Sequence, residues 1–173
     1  MQSLVSDALT TFAKRIKQQS KSNLTKKDKK DTSDLYDSID YELKVSKNSF
    51  RLSFVMEDYG IFVDKGVKGK TSSSKAPTSP FKFGSGTGRK GGLTDGINGW
   101  VKRKRIQFKE RGTGRFMSYD STAFLITRSI YNTGIRTTNF FTKPFENEFN
   151  KLPEQVVEAY GLEVNTFLKD IFK

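Results

Sequence analysis

The chain has 173 residues, with 31 Lys+Arg against 19 Asp+Glu for a net charge of +12, a length that suits one domain at about 150 residues per domain. It contains no cysteine and no histidine, which excludes disulfides, thiolate metal sites, thiol nucleophiles and imidazole general bases. No apolar run approaches the roughly 18 residues of a membrane span, and the amphipathic N-terminus lacks the continuous apolar segment of a secretory signal.

Leu4, Val5, Ala8, Leu9, Phe12 and Ile16 recur at steps of three and four, which predicts a helix over residues 2–19. Residues 20–34 are polar and Lys/Asp-rich, with Leu24 as their only large apolar side chain, and read as an exposed flexible linker. The period then changes to two: Ile39, Tyr41, Leu43 and Val45 alternate with polar residues, as do Phe50, Leu52, Phe54 and Met56 after a turn at 46–48. This predicts an antiparallel β-hairpin within 36–57. Tyr59, Phe62 and Val63 share one face of a short helix that Gly66 stops.

Residues 67–92 have no periodicity and read as an exposed flexible loop, carrying Lys68, Lys70, Lys75, Lys82, Arg89 and Lys90 with no acid. Leu93, Ile97, Trp100 and Val101 restore helical spacing, and 106–118 reads as a loop with a short strand. Ala123, Ile126, Ile130 and Tyr131 mark a helix over 120–133, with Asp120 or Ser121 as cap and Gly134 as stop. Pro144 suits a first helical turn, and Pro153 kinks the helix that follows or starts a new one. Val156, Val157, Tyr160, Val164, Phe167, Leu168 and Ile171 then give a long C-terminal apolar face. These elements predict an α+β fold in a single domain over 1–173: a small antiparallel sheet centred on the hairpin, packed against the N-terminal helix, the 120–133 helix and the C-terminal helix.

The charge is uneven. Residues 51–118 hold 15 basic and 5 acidic residues, whereas 1–50 net +3 and 119–173 net −1. A basic segment of this kind suits a polyanion or an acidic neighbour in an assembly. Its densest run is Lys102, Arg103, Lys104 and Arg105, which suits phosphate contact by counterion release and equally a solvated helix end. Trp100 lies on an apolar stripe with Ile97 and Val101, the pattern of a core residue more than of a base-stacking platform.

Two catalytic patterns dissolve on inspection. Residues 86–91 match Gly-x-Gly-x-x-Gly, but the preceding segment holds Pro77 and Pro80 and is no buried strand, so a dinucleotide site lacks its context. Glu42 and Lys44, with a run of aspartates upstream, have the residue types of a metal-dependent nuclease, yet share the polar face of a simple hairpin. No catalytic residue, metal ligand or cofactor is assigned.

The order of parts carries a resemblance. An amphipathic helix and a hairpin precede Tyr-Gly-x-Phe-Val-x-x-Gly at 59–66 and a basic, proline-containing loop. Then come Trp100-Val101, AFLITRSI at 123–130, Gly134-Ile135, Asn139-Phe140-Phe141 and a long C-terminal helix. Over about residues 1–160 this resembles the tail-completion or neck proteins of tailed bacteriophages. The chain departs from the usual pattern with Asp64 for a glutamate and Gly66-Val67 for a Gly-Thr pair.

The resemblance implies a non-enzymatic structural protein of the virion, assembled in the host cytoplasm, without a membrane. Copies would form a homo-oligomeric ring between the portal side of the head and the tail, meeting portal or adaptor and tail proteins and helping to seal the DNA channel. Tyr59, Phe62, Trp100, Phe140 and Phe141 are then expected at subunit or partner interfaces, and the basic loops at packaged DNA or a partner. Head-to-tail ring packing needs two complementary faces, for which the basic middle third and an acidic face of Glu146, Glu148, Glu154, Glu158 and Glu163 are candidates. The alternative is a non-specific nucleic-acid-binding protein that uses the central basic loops.

Overall fold

The computed structural model describes residues 4–26, 33–46, 49–86 and 92–171. The architecture is α+β, and the chain divides into two compact units, Met1–Gly60 with Asn139–Lys173 and Ile61–Thr138.

In the first unit, helix α1 (Leu4–Lys26) buries Val5, Phe12, Ala13, Ile16, Ser20 and Leu24. It runs seven residues past the predicted end at 19 because Ile16, Ser20 and Leu24 continue the stripe at i, i+4 spacing. The first part of the expected 20–34 linker is therefore helical, with Leu24 fully buried, while 27–32 lie outside the described residues. Helix α2 (Asp34–Ser38) takes up what the sequence assigned to the start of the hairpin. Leu35 and Ile39 are both buried, and their i, i+4 spacing is met by one helical turn rather than by extension.

Strands β1 (Asp40–Ser46) and β2 (Ser49–Val55) pair antiparallel, with Tyr41 opposite Phe54, Leu43 opposite Leu52 and Val45 opposite Phe50. The register puts the alternating apolar residues of both strands on one face. That face supplies Phe54 to a cluster of aromatic rings. Phe54 lies edge-on to Phe12 at 6.5 Å between centroids, to Phe141 at 5.3 Å and to Phe145 at 6.1 Å. Each such pair adds about 0.5–1.5 kcal/mol beyond the area it buries. Phe145 belongs to α6 (Thr142–Phe149), which Pro144 enters in its first turn. Pro153 starts a new helix, α7 (Leu152–Ile171), which packs with its buried Ala159 against α1's side of the unit. Val157, expected on the apolar face, is 72% exposed.

In the second unit, α3 (Gly60–Lys65) ends at Gly66, whose φ of 72° is the left-handed conformation that favours glycine. A two-residue antiparallel pair, β3 (Val67–Lys68) with β4 (Gly134–Ile135), follows and had no signature in the sequence. Helices α4 (Gly92–Lys104) and α5 (Tyr119–Thr133) pack together, burying Val101 and Ala123 completely. The packing partner of α5 within this unit is α4. Its cap is also corrected: Ser118, not Asp120 or Ser121, accepts from the Ser121 amide at 3.1 Å. Residues 106–118 contain one short bridge, Lys109 with Phe116.

Candidate functional site

The described part of the expected loop, 67–86, is tied down along its length. The Lys68 amide donates to the Phe81 carbonyl at 2.8 Å and the Phe83 amide to the Lys68 carbonyl at 2.9 Å. The Lys70 amide donates to Tyr131 at 2.9 Å, and the Thr71 amide and hydroxyl both donate to the Asn132 carbonyl, at 3.2 and 3.0 Å. The buried Ser79 hydroxyl closes the segment by donating to the Gly66 carbonyl at 2.7 Å. Val67, Ala76 and Ser79 are buried, so this stretch, though largely exposed, is anchored to its unit along its length. Its composition hid this because the bonds run from backbone to backbone, which no side-chain period records.

The anchoring brings Lys68, Lys70 and Lys82 to one pocket of about 340 Å³, with Thr71, Ser72 and Ser73 on its wall. Lys68 and Lys82 are bridge partners on parallel segments. None of these three lysines has a carboxylate partner among the described residues. Like charges set side by side repel unless an anion lies between them. The Lys70 ammonium also lies 5.9 Å from the Tyr131 ring centroid. Lys75 is drawn away: its ammonium donates to the Thr133 hydroxyl at 2.8 Å. Arg89 and Lys90 lie outside the described residues.

Lys102, Arg103, Lys104 and Arg105 do not line that pocket. Lys102, Arg103 and Lys104 close α4, where cations favour the helix C-terminus, Arg105 follows it, and all four are exposed. Lys102 pairs with Asp120 at 3.5 Å, and the Asn98 hydrogen bond and the Lys102 charge hold the Asp120 carboxyl below its ordinary value.

A second basic pocket, of about 520 Å³, was missed by the sequence reading. Lys14, Lys17 and Lys21 line it from α1, with Tyr36 from α2 and Tyr41 from β1. The signal was present as an i, i+3, i+7 lysine stripe beside the apolar one, and the more basic middle third masked it.

The expected interface residues divide. Tyr59 and Phe62 are exposed, and Phe62 stands edge-on to Phe81 at 4.7 Å. Trp100 and Phe141 are half-buried, Phe141 within the aromatic cluster. Phe140 is 0% exposed, so its side chain is core and presents nothing to a partner. Its carbonyl accepts from the Asn23 amide at 3.3 Å. Glu148 likewise leaves the expected acidic face, being buried between Arg15, Gln19 and Lys151. Exposed apolar side chains occur instead at Val45 and Phe50 in the first unit and at Phe108, Phe116 and Phe124 in the second.

Glu42 and Lys44 form an exposed ion pair at 3.3 Å. Among the described residues no cluster of three or more acidic side chains is placed to hold a metal ion. No helix of the described residues is long and apolar enough to cross a membrane. Fold and surface together define a mixed helix-and-sheet protein with two lysine-lined pockets and apolar residues left open on both units. Comparison with family models, curated proteins and solved structures finds no match.

Proposed function

We propose that this chain is a structural subunit of the head–tail connector of a tailed bacteriophage. Copies join in a ring between the portal side of the head and the tail and help to seal the DNA channel. The reading rests on the order of sequence parts from Tyr59-Gly60 to Asn139-Phe140-Phe141 that resembles neck and tail-completion proteins. The structural observation that carries it is the open apolar surface. Val45 and Phe50, cross-strand partners near the hairpin turn, are 57% and 40% exposed, and Phe116 and Phe124 in the other unit are 65% and 59% exposed. Side chains of this size left in water are what a neighbouring subunit covers, and ring packing uses two different patches of each copy.

Quantitative mass spectrometry of purified virions tests this. About six or about twelve copies per particle is the ring-like result. Absence of the chain from virions overturns the reading.

A second reading, non-specific nucleic-acid binding through the central basic segment, is favoured by the convergence of Lys68, Lys70 and Lys82 on one pocket without an acid. A DNA affinity that falls steeply with salt, with the slope reduced by about one for each of these lysines removed, distinguishes it from docking by shape and apolar contact.

A further inference from the structure

The larger lysine pocket lies in the first unit and belongs to neither reading above. Its wall is one face of α1, where Lys14, Lys17 and Lys21 project on successive turns. The adjoining face of α1 is held by Phe12, Ala13, Ile16 and Leu24 in the core, so the lysine row stands on a fixed element. Tyr36 and Tyr41 complete the site from α2 and β1. Charge and ring are in immediate contact, because the Lys21 ammonium lies 4.9 Å from the Tyr36 ring centroid. The pocket, of about 520 Å³, is an open surface groove, which leaves one side of a bound ligand in solvent.

One charge here is already engaged. The Lys17 ammonium donates to the Asp40 carboxylate at 2.9 Å, and this bond, with one from the Tyr41 amide, holds Asp40 below its ordinary value. Both partners are solvent-accessible, so a phosphate can take the place of the carboxylate at little cost. The Lys21 charge also acts on Asp40, and neither Lys14 nor Lys21 forms an ion pair within 4 Å among the described residues. The pocket lining therefore holds three cations and two aromatic rings, with Asp40 paired to one of the cations.

We infer that this pocket binds a nucleotide unit, with the planar base against Tyr36 or Tyr41 and the phosphate on the lysine row. A bare oxyanion uses only the lysines, and an apolar ligand only the rings. A nucleotide uses both, and stacking on tyrosine is open to every base because each has a π-face. Gln18, also on the lining, offers an amide to a base edge or a phosphate oxygen. The same chemistry is met by a free nucleotide and by one residue of a single strand.

The test is calorimetric titration of the full chain with thymidine monophosphate, with a single-stranded oligothymidylate and with inorganic phosphate. The expected result is binding of a thymidine ligand and at least about fivefold weaker binding of phosphate. Binding of the oligonucleotide alone assigns the site to a strand, and equal binding of the mononucleotide assigns it to free nucleotide. Y36L/Y41L should weaken binding at least about fivefold while Y36F/Y41F keeps it. K14Q/K17Q/K21Q should weaken it too, and K68Q/K70Q/K82Q, at the other pocket, should not. Circular dichroism of each variant confirms that it is folded. The inference is overturned if the wild-type chain binds neither thymidine ligand, if Y36L/Y41L binds as the wild type does, or if K68Q/K70Q/K82Q abolishes binding. None of these measurements depends on the virion, so they stand or fall apart from the connector reading.

Discussion

Gln19 and Glu148 stand 129 positions apart in the chain, and the Gln19 side-chain amide donates to the Glu148 carboxylate at 3.2 Å. Lys151 reaches the same oxygen at 3.2 Å, and the Arg15 guanidinium approaches the other at 3.6 Å. Burial by itself raises the pKa of this carboxyl. The bonds from Lys151 and Gln19 and the charges of Lys151 and Arg15 outweigh burial and hold it below its ordinary value of 4.5. A carboxyl depressed in the folded state stabilises the fold above its unfolded value and loses that contribution as pH falls through its folded one. E148Q should therefore cost about 1–2 kcal/mol near neutral pH. The difference from wild type should shrink as pH falls through the depressed folded-state value, below which the wild-type carboxyl is neutral too. Urea denaturation of both chains across that range measures it; a difference that persists in acid would show that packing, not charge, is responsible.

Gly69 is the pivot of the lysine-bearing segment in the second unit. A Cβ built there would collide with the Asn132 carbonyl oxygen, which is backbone and cannot swing aside. G69A should lower stability by about 2 kcal/mol or more, as overpacking does. Hydrogen exchange should show protection lost at the Lys70 and Thr71 amides, which donate to Tyr131 and Asn132. Retained protection would place the strain elsewhere.

Ser20 offers a change of the opposite sign. It is fully buried in the interior of α1, and its hydroxyl has no hydrogen-bond partner among the described residues. Alanine removes that unsatisfied group and is the better helix former. S20A should stabilise the chain by about 0.5–1.5 kcal/mol in thermal or chemical denaturation.

Phe140 and Phe116 separate folding from assembly. Phe140 is fully buried, and F140A should cost about 3–5 kcal/mol in equilibrium unfolding. Phe116 is 65% exposed with the Lys109 ammonium 5.1 Å from its ring centroid, and F116A should cost the isolated chain no more than about 1 kcal/mol. If neighbouring copies cover Phe116, Val45 and Phe50, as proposed, F116A and V45S/F50S should shift sedimentation toward the monomer or remove the chain from virions. Unaltered assembly in both would leave these side chains outside any interface.

The helices and the hairpin were legible in the chain because their signals are local. The apolar steps of α1, the alternation that pairs Tyr41 with Phe54 and the stops at Gly66 and Gly134 each arise within a few residues of where they act. The site was legible only in part. Lys68, Lys70 and Lys82 were marked by composition, but their convergence depends on backbone bonds to Phe81, Tyr131 and Asn132. Phe140 and Glu148 were read as surface residues because a lone Phe beside another Phe, and a Glu among Glu residues, carry no local mark of burial.

The sequence alone determined composition, charge asymmetry, most element types and the absence of thiol and imidazole chemistry, since these need no knowledge of distant partners. Only the tertiary structure decided that Glu148 is buried beside Gln19, that Lys21 lies over Tyr36, and that 67–86 is anchored rather than loose. The physical reason is the same in each case. Burial, ion pairing and backbone hydrogen bonding to remote segments are properties of position in space, and side-chain periodicity reports only the nearest turns and strands.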